Sequence, residues 1–553
     1  MKPFNGMEAA PLRIVGADKR EIVLRQGEIA VLLGPNGAGK TSLLEIAAGL
    51  REPGDLGVSY GDEPLWLERG RGRRSLNASA LRRYAYASQA PEEQLFARTA
   101  QEELEAALKP YRLTAERHAE RIACGLEAVG WDASWASRNP FRMSGGERRR
   151  LALACLFASP ADWLLLDEPA AGLDAPGQRL VSRQLTKMKE SGVGVLLVSH
   201  DSEWSLALAD RVLLLSPDGD LRSCGRDELL RNPQWWEEAG MTVPDWLRTV
   251  NPLLEAGVPP ELLWNPSALA AEWIRLEREP ERRRRTSVAS VSQASSIRTK
   301  FRPRTDRSGR SRSTPLAAFD PRSVWLSYVL LSFAIFSIRS WTGIAASAIA
   351  ALAATALARI PVWRWRLPIA GFILFSAVVS LVAGWGGGRS FDPDAFLKSL
   401  HSLTRTLLVM LLGLGLATAI TPLRLRRSLE QLLSFRGRLA GPMPKFILTV
   451  TLMLRFIPVL VGEWERFARL TVARSKETSR GPLAAARRVI HTTMPFMLSL
   501  FRLGDQIAAA LESRGVGRRR YPTVPRVLRW RKRDLALSLI SLAVSALLWR
   551  WGG

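Results

Sequence analysis

Cysteine is scarce in this chain, and cleavable leader features are missing. Only three cysteines occur among 553 residues, at Cys124, Cys155 and Cys224, and their scatter lacks the close spacing of metal ligands. We therefore expect no disulfide scaffold and no cysteine metal site, but inert thiols in a reducing compartment. Residues 1–16 contain no apolar signal core, so we expect no cleavage and a first domain that stays in the cytosol.

Acidic charge is also in short supply. Asp and Glu total 52 against 78 Lys and Arg, a formal net charge of +26, and much of the excess lies at residues 282–285 and 298–312. Such basicity fits either nucleic acid or the positive-inside bias of membrane proteins. Because the basic residues flank apolar stretches and are not interleaved with stacking aromatics, we expect a lipid bilayer as partner and no nucleic acid.

The chain is too long for one ordinary core, and its pattern changes along its length. Residues 1–247 alternate short apolar strands with amphipathic helical stretches, which predicts an α/β domain with a largely parallel sheet. Residues 248–318 are predicted to be a short helical extension and a flexible linker rich in Arg, Ser and Thr. The predicted strands lie at 29–33, 163–166, 193–198 and 212–215.

Residues 319–553 are predicted to form an all-α, multi-span transmembrane domain. Several of the apolar stretches are shorter than the roughly 20 residues that cross a bilayer, so any one alone could be a buried helix of a soluble domain. Tryptophans at their ends and arginines just outside favour membrane insertion, with the first domain on the cytoplasmic side. The stretches lie at 324–338, 341–358, 367–385, 407–420, 446–461 and 535–549.

A glycine-rich loop lies between an apolar strand and a helical stretch. In this context it is typical of a phosphate-binding loop, whereas a glycine turn with an incidental lysine would not need the flanking strand and helix. Lys40 can reach the β- and γ-phosphates, and the Thr41 hydroxyl can ligate Mg²⁺. We predict that ATP is held here by Gly34, Asn36, Gly37, Gly39, Lys40, Thr41 and Ser42.

Two further motifs complete a nucleotide-hydrolysing pattern. The apolar strand at 163–166 ends in Asp167 and Glu168. The first carboxylate is placed to help hold Mg²⁺, and the second is placed to activate the attacking water as general base. Ser144 and Gly146 belong to a glycine-rich turn that opens a helix and offers N–H donors to a phosphate.

Together these motifs resemble the ATPase of an ATP-binding cassette (ABC) transporter. The resemblance implies that Ser144 and Gly146 close over the γ-phosphate bound by the opposite ATPase of a dimer, and that Asp174 lies in the loop between the two sites. It also implies that Gln89 links Mg²⁺ and water to the membrane domain and that His200 touches the γ-phosphate. Alone, Gln89 would be read as a surface residue and His200 as a core residue.

An aromatic residue that would stack on adenine is absent from residues 11–24. Such ATPases usually carry one shortly before the strand that leads into the phosphate loop, and Phe4 is rather far upstream. We therefore expect apolar or arginine contacts to the base, from Arg13 or Ile14.

A narrower resemblance covers both halves of the chain. Residues 89–96, QAPEEQLF, are similar to the ATPases of energy-coupling factor transporters, the bacterial importers of vitamins and metal ions. Short motifs in the second half resemble the T component of that family, its transmembrane coupling protein. These are Asp320-Pro321-Arg322, Arg455-Phe456-Ile457-Pro458 with Glu463, Ala473-Arg474-Ser475 and Ser513-Arg514-Gly515.

Two arginines are the predicted coupling residues. Residues 463–480 and 498–515 read as amphipathic, charge-rich helices on the cytosolic side, with Arg474 and Arg514 near their ends. The resemblance implies that each arginine docks into one ATPase of a dimer, for which Glu92 and Glu93 are candidate acidic counterparts. The alternative is that both arginines merely follow the positive-inside bias.

The sequence thus predicts an ATPase fused to an energy-coupling T subunit. It would need a second ATPase, either another chain or a second copy, and a small membrane subunit that binds the substrate. A self-contained ABC exporter or mechanotransmission ATPase is disfavoured because no large extracytoplasmic domain is visible. A nucleic-acid-associated ABC ATPase would leave the apolar stretches unexplained.

Overall fold

The computed structural model describes residues 10–69, 73–256, 258–278, 297–300, 319–357, 365–386, 391–419, 443–476, 481–515 and 530–552. The chain divides into two compact units. Unit 1 comprises Met1–Thr305 and Val461–Gln506, and unit 2 comprises Asp306–Leu460 and Ile507–Gly553. The basic tract at 282–285 and most of the predicted linker lie outside the described residues.

The described strands lie in unit 1. A seven-stranded sheet has the order β13-β12-β11-β3-β10-β9-β8, in which the five strands from β11 to β8 are parallel and β12 and β13 are antiparallel. A separate antiparallel sheet has the order β2-β1-β4-β5, and β6 pairs with β7. The strands are β1 Leu12–Val15, β2 Glu21–Leu24, β3 Ile29–Leu33, β4 Gly57–Tyr60, β5 Glu63–Pro64, β6 Trp66–Arg69, β7 Arg73–Leu76, β8 Tyr84–Ala87, β9 Trp163–Asp167, β10 Gly194–Val198, β11 Arg211–Leu215, β12 Asp220–Gly225 and β13 Ile297–Lys300.

The main sheet is buried on both faces. Alternate residues of β3 belong to two different apolar clusters: Ile29, Val31 and Leu33 face one, and Ala30 and Leu32 face the other. This double burial explains why β3 reads as a continuous apolar run and not as an alternating one. The predicted α/β domain with a largely parallel sheet is confirmed.

Helices of unit 1 cover the sheet. They are α1 Lys40–Ala47, α2 Ala78–Arg83, α3 Ala100–Leu108, α4 Ala115–Ala128, α5 Gly145–Ala158, α6 Ala175–Glu190, α7 Ser202–Leu208, α8 Arg226–Arg231, α9 Gln234–Glu238, α10 Asp245–Glu255 and α11 Pro266–Arg278. Short 3₁₀ helices span Pro91–Gln94, Lys109–Tyr111, Ala133–Ser137, Pro140–Arg142 and Pro260–Trp264.

The register brings the predicted motifs to one edge of the sheet. Val198 at the end of β10 pairs with Asp167 at the end of β9, and Ala87 at the end of β8 pairs with Leu166. The neighbouring strand β3 ends just before Gly34. Because parallel strands end at the same edge, the loops that follow them meet there, which is where α/β sheets bind ligands.

The second half of the chain is helical. Its helices are α12 Pro321–Ser337, α13 Trp341–Leu357, α14 Arg366–Trp385, α15 Pro393–Ala419, α16 Met443–Ser475, α17 Pro482–Ser513 and α18 Lys532–Gly552. The predicted apolar stretches fall on these helices wherever they are described. Arg366–Trp385 and Pro393–Leu414 are long and apolar enough to cross a membrane, and Trp341–Ala356 is a shorter apolar helix.

The two predicted coupling helices have different bounds from those expected. They are the C-terminal parts of α16 and α17, which run for 33 and 32 residues. Pro458 and Pro495 lie inside these helices and do not end them, so each helix continues on both sides of its proline. Arg474 lies in the last turn of α16, and Arg514 lies in the turn that follows α17.

Candidate active site

The phosphate loop depends on its glycines at defined positions. A Cβ at Gly34 would lie 2.4 Å from the carbonyl oxygen of Leu215, so the loop passes β11 too closely for any side chain. Gly37 and Gly39 have φ values of 83° and 103°, a region that favours glycine. Gly39 is the N-cap of α1 and carries no capping side chain, which leaves the helix N-terminus open to an anion.

The lysine of the loop folds back over it. Lys40 is only 7% exposed, and its Nζ donates to the carbonyl oxygens of Gly34 at 2.7 Å and Pro35 at 3.2 Å. Burial lowers the Lys40 pKa, and the nearby carboxylates of Glu168 and Asp167 act in the opposite direction. The ammonium group thus lies at the loop where phosphate oxygens would meet it.

The polar residues around the lysine differ in exposure. Asn36 and Thr41 are exposed at the loop, whereas Ser42 is half-buried. The Ser42 hydroxyl accepts a hydrogen bond from Arg51 Nη1 at 3.1 Å. The phosphate-binding residues predicted from the sequence therefore lie together in the loop and the first turn of α1, with the Ser42 hydroxyl bonded to Arg51.

Asp167 has an environment that suits a cation. This carboxyl is 2% exposed at the end of β9, and its Oδ2 has no hydrogen-bond partner among the described residues. Burial raises the Asp167 pKa to about 6; a hydrogen bond with Thr41 lowers it, and the charges of Glu168 and Glu45 raise it. A buried carboxylate oxygen beside a hydroxyl is suited to Mg²⁺, which prefers oxygen ligands.

The three predicted catalytic residues meet at one carboxylate. Glu168 Oε1 lies 2.7 Å from His200 Nε2, and Gln89 Nε2 donates to Glu168 Oε2 at 3.4 Å. The Glu168 backbone has a φ of 51°, uncommon for a residue with a side chain, and its N–H donates to Val198 O at 2.9 Å. The ends of β8, β9 and β10 thus bring the residues together.

A buried arginine beside this carboxylate was not predicted from the sequence. Arg149 in α5 is 9% exposed, and its Nη2 donates to the backbone carbonyl oxygen of Glu168 at 2.7 Å. The run of arginines at 148–150 was the available signal. The sequence could not tell which of the three turns inward.

The glycine turn before α5 is open on the surface. Ser144 is the N-cap of α5 and forms a capping box with Glu147: Glu147 N–H donates to Ser144 Oγ at 3.3 Å, and Ser144 N–H donates to Glu147 Oε2 at 2.7 Å. A Cβ at Gly145 or Gly146 would meet nothing within 4 Å. Packing within the described part of the chain therefore does not require these glycines.

Asp174 caps a helix. Its Oδ1 accepts from Gly177 N at 3.0 Å at the start of α6 and lies 3.7 Å from Arg150 Nη2. The residue is exposed, so this local role leaves one side of the carboxylate open.

One of the two expected adenine contacts is wrong. Ile14 is fully buried in the apolar cluster beneath the antiparallel sheet and cannot face a nucleotide. Arg13, its neighbour on the opposite face of β1, is part-exposed and pairs with Glu21 at 3.3 Å. Phe4 lies outside the described residues.

Arg474 is held in a polar contact inside unit 1. Its Nη1 donates to Gln94 O at 2.6 Å, and its Nη2 forms a close ion pair with Glu103 Oε1. Glu103 is fully buried, and its Oε2 accepts from the N–H groups of Phe96 at 3.0 Å and Ala97 at 2.7 Å. The Arg474 guanidinium also lies 4.9 Å from the centre of the Phe96 ring.

The acidic counterparts expected for Arg474 are therefore wrong. Glu92 pairs with Arg149 at 3.8 Å, and Glu93 pairs with Arg466 at 3.9 Å and Arg502 at 3.8 Å. Glu103 is the partner of Arg474 because, of the two acidic residues in the first turn of α3, it is the one that is fully buried.

Arg514 differs from Arg474. It is exposed, and no carboxylate in the described part of the chain pairs with it.

Two family models match separate parts of the chain. The ABC transporter model matches residues 18–171, and the model described as cobalt transport protein matches residues 312–522. The first match includes the phosphate loop and the Asp167–Glu168 pair. The second match includes Arg474 and Arg514. Because the second family is one of transport proteins, the protein is a membrane protein.

Relatives match the first half or most of the chain. An ABC transporter ATP-binding protein of Bifidobacterium longum is 26% identical over 517 residues, covering 90% of this chain, which spans 57% of that longer relative. One of Pyrococcus horikoshii is 36% identical over 201 residues, covering 36% of this chain and 73% of the relative. An energy-coupling factor transporter ATP-binding protein of Symbiobacterium thermophilum is 32% identical over 262 residues, covering 46% of this chain and 87% of the relative. The chain therefore belongs to the energy-coupling factor type of ABC transporter, with an ABC ATPase domain and a T-component domain in one polypeptide.

Proposed function

We propose that this chain is the ATP-hydrolysing energy-coupling module of an importer. It would cross the cell membrane several times, with the ATPase domain on the cytoplasmic side. Its ATP binding and hydrolysis would drive a separate, small membrane subunit that binds the substrate, a vitamin or a metal-ion micronutrient.

The contact of Arg474 carries this proposal. An arginine that only followed the positive-inside bias would be solvated, whereas Arg474 ends α16 in a buried ion pair with Glu103 of the ATPase domain. The same guanidinium binds the carbonyl oxygen of Gln94, five residues after Gln89, which reaches Glu168. This geometry supports transmission between the helix and the catalytic carboxylate.

In the proposed reaction, the chain's own residues bind and orient the nucleotide. Lys40 and the loop N–H groups would hold the phosphates, while Thr41, Asp167 and Gln89 would provide oxygen ligands for Mg²⁺, which neutralises phosphate charge when bound. Glu168 would take a proton from the attacking water. His200 Nε2 lies 2.7 Å from Oε1 of the same carboxylate and would orient it.

A second ATPase is needed to complete each site. Ser144 and Gly146 lie on an open surface, and Asp174 is exposed, which supports contact with a nucleotide bound by another ATPase. Arg514 is the second predicted coupling arginine and is exposed. We favour a separate ATPase chain over a second copy, because the family's usual ratio is one T subunit to two ATPases.

Purification of the tagged full chain from its native membranes tests the proposal. We expect a second ATPase polypeptide and a small membrane protein to co-purify. Vesicles that contain the complex with its ATPase domain on the inside should accumulate radioactive cobalt or a radiolabelled vitamin when ATP is also inside. The matched control is the Glu168→Gln complex, which should assemble without uptake. A chain that purifies alone, or ATP-dependent export in place of uptake, would contradict the proposal.

A further inference from the structure

Two adjacent glutamates in one short turn contact different parts of unit 1. Glu92 and Glu93 lie in the 3₁₀ helix Pro91–Gln94, immediately after Gln89 and before α3. Successive residues of a 3₁₀ helix are about 120° apart around its axis, so neighbouring side chains contact different surroundings. All of the contacts described below lie within unit 1.

Glu92 faces the catalytic edge of the sheet. Its Oε2 lies 3.8 Å from Arg149 Nη1, while Nη2 of the same guanidinium donates to the backbone carbonyl oxygen of Glu168 at 2.7 Å. Arg149 is buried in α5, the helix that begins at the open glycine turn. The planar Arg149 guanidinium therefore joins the 3₁₀ helix Pro91–Gln94 to the backbone of Glu168, the predicted general base. The Glu168 φ of 51° needs support from its surroundings.

Glu93 faces the two long helices. Its carboxylate lies 3.9 Å from Arg466 Nη2 in α16 and 3.8 Å from Arg502 Nη1 in α17. Burial raises the pKa of Glu93, and the two arginines act in the opposite direction. One carboxylate is thus shared by one cation from each helix, so a change in the spacing of the helices alters its contacts.

We propose that Glu92 and Glu93 form a two-sided link that positions Glu168 according to the arrangement of α16 and α17. A shift of either helix moves Glu93, the turn carries Glu92 with it, and Arg149 transfers the shift to the Glu168 carbonyl. The link is separate from Gln89, which contacts the side chain of Glu168 and not its backbone. It rests on the proposed function, because it assumes that Glu168 activates water.

Glu92, Glu93 and Arg149 are positioning residues in this account. Their loss should lower kcat for ATP hydrolysis without changing KM for ATP, because the phosphate loop stays intact. A side chain that only stabilised the fold would lower the unfolding temperature and reduce the active fraction without coupling to the other members of the link.

The test is a double-mutant cycle in the purified full-chain complex. We expect Glu93→Gln and Arg149→Lys each to lower kcat roughly 3- to 30-fold at unchanged KM. The kcat of the double variant should be only slightly lower than that of the less active single variant. Arg149→Met should be worse than Arg149→Lys, which keeps the charge but loses the fork. Glu116→Gln, an exposed glutamate in the first turn of α4, is the control and should match wild type.

A second variant keeps the test decisive if Glu93→Gln unfolds. Arg466→Gln with Arg502→Gln removes the outer partners from half-exposed positions and should reproduce the kcat defect. Wild-type kcat in that variant, or multiplicative losses in the double-mutant cycle, would overturn the link. If those results appear while Glu168→Gln is inactive, only the link fails; if Glu168→Gln hydrolyses ATP normally, the proposed function fails.

Discussion

Arg474 and Arg514 occupy similar tripeptides at the ends of two long helices, yet their surroundings differ. Arg474 is paired with the buried carboxylate of Glu103 within unit 1, whereas Arg514 is exposed without an ion pair in the described part of the chain. A local motif therefore identifies a candidate anchor, but the ion pair forms only where a carboxylate is buried beside the arginine. This chain supplies such a carboxylate to the first arginine.

The largest expected effect is the loss of ATP hydrolysis when a residue of the catalytic site is replaced. Lys40→Ala should abolish ATP hydrolysis because it removes positive charge from the phosphates. Glu168→Gln should still bind ATP but lose about 10²-fold or more in rate, because the general base is gone. Steady-state hydrolysis and ATP binding by the purified complex measure both, and a wild-type rate in Glu168→Gln would refute the catalytic assignment.

The comparison itself is tested by truncating each arginine. Arg474→Ala leaves Glu103 buried and unpaired, which typically costs about 3–5 kcal/mol, whereas Arg514→Ala should barely change the unfolding temperature of the chain. Adding Glu103→Gln to Arg474→Ala should recover part of the loss because the buried charge is removed. Equal unfolding temperatures for the two single alanine variants would break the distinction.

Lys476 contrasts with Arg474, because its buried amine has no carboxylate partner among the described residues. Its Nζ donates to Tyr84 O at 2.7 Å and lies 4.0 Å from the centre of the Tyr84 ring, and burial lowers its pKa to about 7. Above pH 7 the folded state has released this proton, but the unfolded state retains it up to its ordinary pKa of about 10.4. Stability should therefore rise with pH across this window.

The free energy of unfolding should rise with pH by about 1.4 kcal/mol per pH unit, because one proton is released on folding. Unfolding of the full chain at pH 7.0 to 9.0, roughly the lower half of the window, measures it, with Lys476→Met as the comparison. The methionine variant should lack this component of the slope. Identical slopes in the two proteins would show that Lys476 is charged in the folded state.

The smallest expected effect concerns the nucleotide base. An aromatic stack contributes about 0.5–1.5 kcal/mol, and residues 11–24 lack an aromatic side chain, so ATP and GTP should bind with affinities that differ by roughly tenfold or less. Competition binding in the assembled complex checks this. Strong preference for ATP would mean that another residue forms the platform.

Local motifs made much of the catalytic edge predictable. The strand at 29–33 has the bounds expected, because a fully buried parallel strand reads as an unbroken apolar run. The positions of Gln89 and His200 followed from their order after the phosphate loop, and the structure brings both to Glu168. Their catalytic roles remain predictions.

Long-range pairing was not predictable from the same patterns. Glu103 lies 371 residues from Arg474 and looks like an ordinary acid in the first turn of a helix, so nothing local distinguishes it from Glu92 or Glu93. Ile14 was misjudged because one strand's alternation does not reveal which face is covered. The antiparallel sheet that buries Ile14 was not foreseen.

We propose that Arg474 engages this chain's own ATPase and that Arg514 engages another. Native mass spectrometry of the tagged complex from its source membranes tests it directly, in wild type and in Arg514→Ala. We predict one copy of this chain with a second ATPase polypeptide in wild type, and loss of that polypeptide in Arg514→Ala while ATP binding persists. Retention of the second ATPase in Arg514→Ala, or a wild-type complex that hydrolyses ATP with no second ATPase polypeptide, would contradict it.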